Sequence, residues 1–201
     1  MASQLEITNH ALDLLGETSI SDINATTEPA EKLLGAWDAT RDRALRSHLW
    51  HFSIRRRSLA ADATAPVWGF ARAFTVDGDV VRVVQVDQYF PGVVLSDYVG
   101  ADSSVYRIEN GKILTDLAAP LKVRWVLNSI DVGLWDPCFA VVMACNMADR
   151  LSTRVTGSES VKARIKEERR VALLEAVRIN AIEQPPQHLA DNSWMASRAS
   201  I

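Results

Sequence analysis

Apolar residues recur at helical spacing at both ends of this chain and at strand spacing in its middle. Leu5, Leu12 and Leu15, with Ile7, Ala11 and Leu14, form one wide stripe, which predicts an amphipathic helix. Ser3 and Glu6 ahead of it make a capping box, and Gly16 is placed to end the helix in a left-handed conformation. Residues 17–27 are polar and turn-rich, a surface loop. A second helix opens at Thr27-Glu28-Pro29, with proline in the first turn, where its missing N–H costs nothing. Ala30, Leu33, Leu34, Trp37, Ala44, Leu45 and His48 fall on one side of it, so it should run to about His48.

From Trp50 to Leu59 the pattern alternates, which predicts a strand with Trp50, Phe52 and Ile54 on one face. Val80 to Val86 is rich in β-branched residues, a second strand signal. Asn110-Gly111 separates Val105–Ile108 from Lys112–Thr115, the signature of a type I′ hairpin, because both turn positions need positive φ. Leu121 to Leu127 is another strand, with Leu121, Val123, Trp125 and Leu127 on one face. Strands in succession without intervening helices predict an antiparallel sheet. Asp136-Pro137 then caps and opens a third helix, whose Ala140, Ala144 and Ala148 form a ridge of small residues. Gly157-Ser158 stops it and caps a fourth, running from about Glu159 to Ile182, and Pro185-Pro186 forbids continuation. The predicted architecture is α+β: a four-helix bundle (1–50 and 135–183), an inserted antiparallel β module (51–134) projecting from it, and an extended C-terminal tail (184–201).

Composition narrows the classes. The chain has 201 residues, 48% hydrophobic and 23% charged, ordinary for one globular unit with a core. A formal charge of -3 argues against a free DNA-binding protein. The cationic residues are 17 Arg and 5 Lys. Arginine is favoured at interfaces for its planar, multidentate contacts, and a GC-rich genome gives the same bias. Cys138 and Cys145 are two helical turns apart, roughly 10 Å, too far for a disulfide, and read as buried thiols. The longest apolar run, Phe139 to Cys145, is far short of a membrane span, and the N-terminus lacks the layout of a signal peptide. These features predict a soluble protein made in the cytoplasm, with no membrane partner.

Candidate chemistry is sparse. No phosphate-binding glycine loop, HExxH, CxxC or nucleophile elbow is present. Of His10, His48, His51 and His188, only His48 and His51 have a ligand-like i, i+3 spacing, and they straddle a helix end without a third ligand in sequence. Carboxylate pairs exist at Asp97 with Asp102 and at Glu167 with Glu168, as in any globular protein of this size. The reading therefore assigns no catalytic, metal or cofactor site; a cell-wall hydrolase using one of these carboxylates is the alternative. The run Arg41, Arg43, Arg46, Arg55, Arg56, Arg57 could face a nucleic acid, a solvated surface or a sister subunit, and Arg41, Arg55, Arg56 and Arg57 are the candidate subunit-interface residues. The tail from Gln184 cannot fold alone. It is either a disordered terminus or a docking segment, with Trp194, Met195 and Arg198 as candidate anchors.

Certain stretches resemble the head-to-tail adaptor, or tail tubular protein A, family of short-tailed phages. They are Asn9–Glu17 followed by Ile20, Arg41-Asp42, the Leu-x-x-x-x-Trp-x-Phe pattern of Leu45 to Phe52, an Arg-rich strand ending in Leu59-Ala60, and Phe139–Thr156 with Gly157-Ser158. The similarity runs over residues 5–183. One family pattern is absent: Phe74–Asp79 lacks the proline of an aromatic-Pro-x-Asp motif. The resemblance implies a non-enzymatic virion protein of the neck, assembled in the host cytoplasm. It implies a twelve-membered homo-oligomeric ring between the portal protein and the tail nozzle or tube, with the genome passing through the lumen unbound. It further implies that the C-terminal segment grips the portal.

Overall fold

The computed structural model describes residues 2–24, 27–88 and 105–183. Within them the chain is mixed α+β, with four helices and two small antiparallel sheets. Helices α1 (Gln4–Leu15) and α2 (Glu28–Ser47) come first. Strands β1 (Ile54–Leu59), β2 (Arg72–Thr75), β3 (Val80–Val86), β4 (Tyr106–Glu109), β5 (Lys112–Thr115) and β6 (Leu121–Leu127) follow, and α3 (Pro137–Thr156) and α4 (Glu159–Ile182) close the order.

The helix ends form where the local chemistry puts them. Ser3 and Glu6 each satisfy the other's backbone N–H, and Gly16 ends α1 at φ 78°. Asp136 Oδ1 accepts from the backbone of Cys138 at 2.8 Å and Phe139 at 3.4 Å, holding the first turn of α3. Gly157 takes φ 61°, and the Ser158 hydroxyl caps α4. The loop after α1 is clasped by Asn9, whose amide donates to the Ile20 carbonyl and accepts from the Ile20 N–H. That bidentate bond gives Asn9 a structural role which hydrophobic patterning could not reveal.

The β region differs from the expected single sheet. One sheet has the order β1-β6-β3 and the other β2-β5-β4. The β4–β5 hairpin turns at Asn110 and Gly111, both at positive φ (47° and 69°), as the Asn-Gly signal predicts. Strand β2 was not anticipated; it pairs with β5 and buries Ala73 and Phe74. Asp62 fastens the preceding segment to this sheet. Its carboxylate accepts from Lys112 Nζ at 2.7 Å and from Thr75, and the Lys112 contact holds its pKa below the ordinary value.

The expected strand from Trp50 starts instead at Ile54, after a 3-10 turn at His51–Ser53. Tertiary packing overrides the alternation. Phe139 lies 5.0 Å from Trp50, 4.9 Å from Phe52 and 5.0 Å from Trp135, ring centre to ring centre. The turn brings Trp50 and Phe52 onto this one ring.

Helix α3 packs against α1, α2 and α4. The helical core crosses the domain boundaries expected at 50/51 and 134/135, because Phe52, Val84, Val126 and Val132 pack into it. The β1-β6-β3 sheet therefore gives one face to the helices. Its other face supplies Val83, Val86, Leu121, Val123 and Trp125 to a second core, shared with Phe74 and Ile113 of the other sheet. Val83 and Val86 reach the same side although three residues apart. An irregularity in the β3–β6 register between Val83 and Gln85 shifts the side-chain phase. No described helix is long and apolar enough to cross a membrane.

Candidate functional site

Three features gather the side chains that could carry a function. The first is basic. In β1 and β6, Arg56 lies directly opposite Arg124, and Ser58 opposite Lys122, while Gln85 of β3 flanks Arg124 on the other side. Together they line a shallow cleft of about 460 Å³. Like charges directly across a ladder repel, and burial, then Arg56, push the Arg124 pKa down. Strand alternation starts Arg55 and Arg57 on the other face of β1, yet the Arg57 side chain still lines the same cleft. Arg57 also approaches Asp77 at 3.9 Å, and Arg55 donates to the carbonyls of Phe52 and Ile54. Arg41 belongs to neither group. It is only 6% exposed and is held by Asp38 at 2.8 Å and Asp42 at 3.0 Å on its own helix. Of the four candidate interface arginines, Arg56 and Arg57 share one cleft, while Arg41 and Arg55 stand apart from it.

The arginine bias has a partial structural account. Arg46 donates to the Val81 carbonyl, Arg72 to those of Asp116 and Leu117, Arg82 to that of Arg46, and Arg164 to that of Leu14. These bonds tie elements together through carbonyls, a task suited to a planar multi-donor head group.

The second feature is apolar. Helix α4 buries Ile165, Ala176 and Asn180 but leaves Val171, Leu173, Leu174 and Ile182 exposed. Val141 of α3, Val171 and Ala172 line an open cleft with His10, Glu167 and Glu168. Glu167 is engaged by Arg170 at 2.6 Å, which keeps its pKa low. Elsewhere the loop before β2 presents Val67 and Trp68, 99% and 75% exposed, beside a cleft of about 410 Å³.

The third feature is a polar cluster at the junction of α2, α3 and α4. The buried amide of Asn180, 5% exposed, accepts from the His51 N–H at 3.0 Å and donates to the Leu49 carbonyl at 3.0 Å. Those two main-chain bonds fix which end of the amide is oxygen. The oxygen then lies 2.7 Å from His51 Nδ1, which must be the protonated nitrogen, and the amide nitrogen donates to His48 Nε2 at 3.1 Å. Burial, then Arg82, hold the His48 pKa below its ordinary value. His51 Nε2 lies 2.8 Å from Glu183 Oε2, and a ligand atom of Asp136 completes a trio within 4.8 Å of one another. The spacing of His48 and His51 pointed to this region. Asp136 and Glu183 are 85 and 132 residues from His51 in number, so no local pattern could have added them.

Cys138 and Cys145 are both free thiols. Burial pushes Cys145 up to about 11, which leaves it an unreactive packing residue. Asp97, Asp102, His188 and the tail residues Trp194, Met195 and Arg198 lie outside the described residues. No protein-family model matches the chain, and no curated protein matches it.

Proposed function

We propose that this chain is a structural subunit of a phage neck, a head-to-tail adaptor that works as one copy of a ring between portal and tail. The observation that carries the reading is the lopsided burial of α4. A long surface helix that leaves Val171, Leu174 and Ile182 in water along one side is an unfinished interface. The occupant this reading assigns to it is a sister copy, with the four helices acting as a bundle and the β region as its appendage. The cleft on which Arg56, Arg57 and Lys122 outnumber Asp87 supports the same reading, because a cationic surface complements an acidic patch on a neighbouring subunit. The formal charge of -3 suits a ring whose lumen must release DNA.

The test mixes the full chain with the portal protein encoded beside it and follows mass by light scattering and symmetry by negative-stain microscopy. The expected result is a closed ring of twelve copies on the portal, which Leu174→Asp with Val171→Asp abolishes while the subunit stays folded. A chain that never associates with a capsid vertex component, or one that cleaves peptidoglycan, sinks the reading.

A further inference from the structure

The geometry points to a divalent-cation site at the junction of α2, α3 and α4, formed by His51, Asp136 and Glu183 and taking a zinc-class ion. Asn180 accepts from His51 Nδ1, so the neutral ring turns its lone-pair nitrogen, Nε2, toward Glu183 Oε2 at 2.8 Å. Two acceptors that close repel unless a positive species lies between them. The candidates are a proton, which makes the contact a simple ion pair, and a metal ion.

Three features favour the metal. The three ligand atoms lie within 4.8 Å of one another, a span that bonds of about 2.0–2.2 Å to a common ion can bridge with small side-chain shifts. One imidazole and two carboxylates give two negative charges and a mixed N/O set, which suits first-row divalent ions. The buried Asn180 does for His51 what outer partners do at metal centres: it fixes tautomer and ring orientation through the nitrogen that does not ligate.

Asp136 already accepts two backbone N–H groups through Oδ1, and a carboxylate has lone pairs to spare for an ion. The side chains of His51 and Glu183 are 37% and 49% exposed, so an ion can enter and a water can fill the remaining position. The bound ion would staple the turn after α2, the first turn of α3 and the end of α4, three elements far apart in sequence.

The experiment strips the full-length protein with chelator, then adds zinc chloride at neutral pH. Calorimetry reads stoichiometry, thermal melting reads stability, and cobalt substitution gives a visible ligand-field spectrum. One ion per chain is expected, with a Tm rise of roughly 5 °C or more at about 100 times Kd. Glu183→Gln and His51→Gln should each abolish the rise, measured against that variant's own metal-free melt. Asp136→Asn retains a good helix cap and should weaken binding by about 10-fold or more. The proposal is overturned if zinc leaves the wild-type melt unchanged, because a proton alone then holds the contact. It is equally overturned if the variants bind as the wild type does.

Discussion

In the helical core, the indole N–H groups of Trp50 and Trp135 reach the carbonyls of Ala44 and Ser129, each at 3.0 Å. In the core between the sheets, the Trp125 N–H is fully buried and has no acceptor among the described residues, and the Tyr106 hydroxyl is in the same position. The difference follows from what surrounds each ring. Turns and helix ends have carbonyls left over, and Trp50 and Trp135 sit beside such ends. Trp125 lies on β6, the central strand of its sheet, where both neighbours consume the backbone carbonyls in ladder bonds. An indole in a sheet interior contributes apolar area but leaves its polar handle unmet. The helical core is therefore the better satisfied of the two, and it is also where the polar cluster of His51 is anchored.

Substitutions can widen or erase that contrast. Phe139→Ala removes the ring on which Trp50, Phe52 and Trp135 converge and should cost about 3–5 kcal/mol in urea unfolding. Phe74→Ala, in a smaller core rimmed by half-buried side chains that can close in, should fall at or below the bottom of that range. Equal losses would mean that the two cores are equally rigid. Next in size, Trp50→Phe strips one donor from the Ala44 carbonyl, where the Ser47 hydroxyl still donates, and should cost on the order of 1–2 kcal/mol. Trp125→Phe removes an N–H that was already unsatisfied. Its loss should be smaller than that of Trp50→Phe, and the opposite ranking would show that Trp125 has an acceptor after all.

Asp136→Ala removes the cap of α3 and should cost about 1 kcal/mol, read from the shift in denaturation midpoint. The smallest effect is a pH dependence. His48 is needed neutral, as acceptor for Asn180, and its pKa is depressed in the fold. Its contribution is thus fully present above its unfolded pKa of 6.5 and is lost as pH falls through the lower folded value. Denaturation midpoints at pH 7.5 and pH 5 should show a decline that His48→Gln reduces; an unchanged slope in the variant would remove His48 from the account.

Local chemistry alone determined much of this molecule. The capping box at Ser3, the Pro29 and Asp136-Pro137 starts, the Gly16 and Gly157 stops, the Asn110-Gly111 hairpin and strands β3 and β6 all follow from short-range hydrogen bonding, fixed φ or side-chain periodicity. Tertiary structure decided the rest. The alternation from Trp50 gave way to a 3-10 turn whose flanking rings pack on Phe139, and the strands divided into two sheets by long-range pairing. The Arg41–Arg57 run was divided because helix burial holds Arg41 away from the cleft that Arg56 and Arg57 share. His51, Asp136 and Glu183 met only through the packing of α3 against α4 and the clasp of Asn180, since a cluster drawn from three distant segments has no periodicity by which a sequence could announce it.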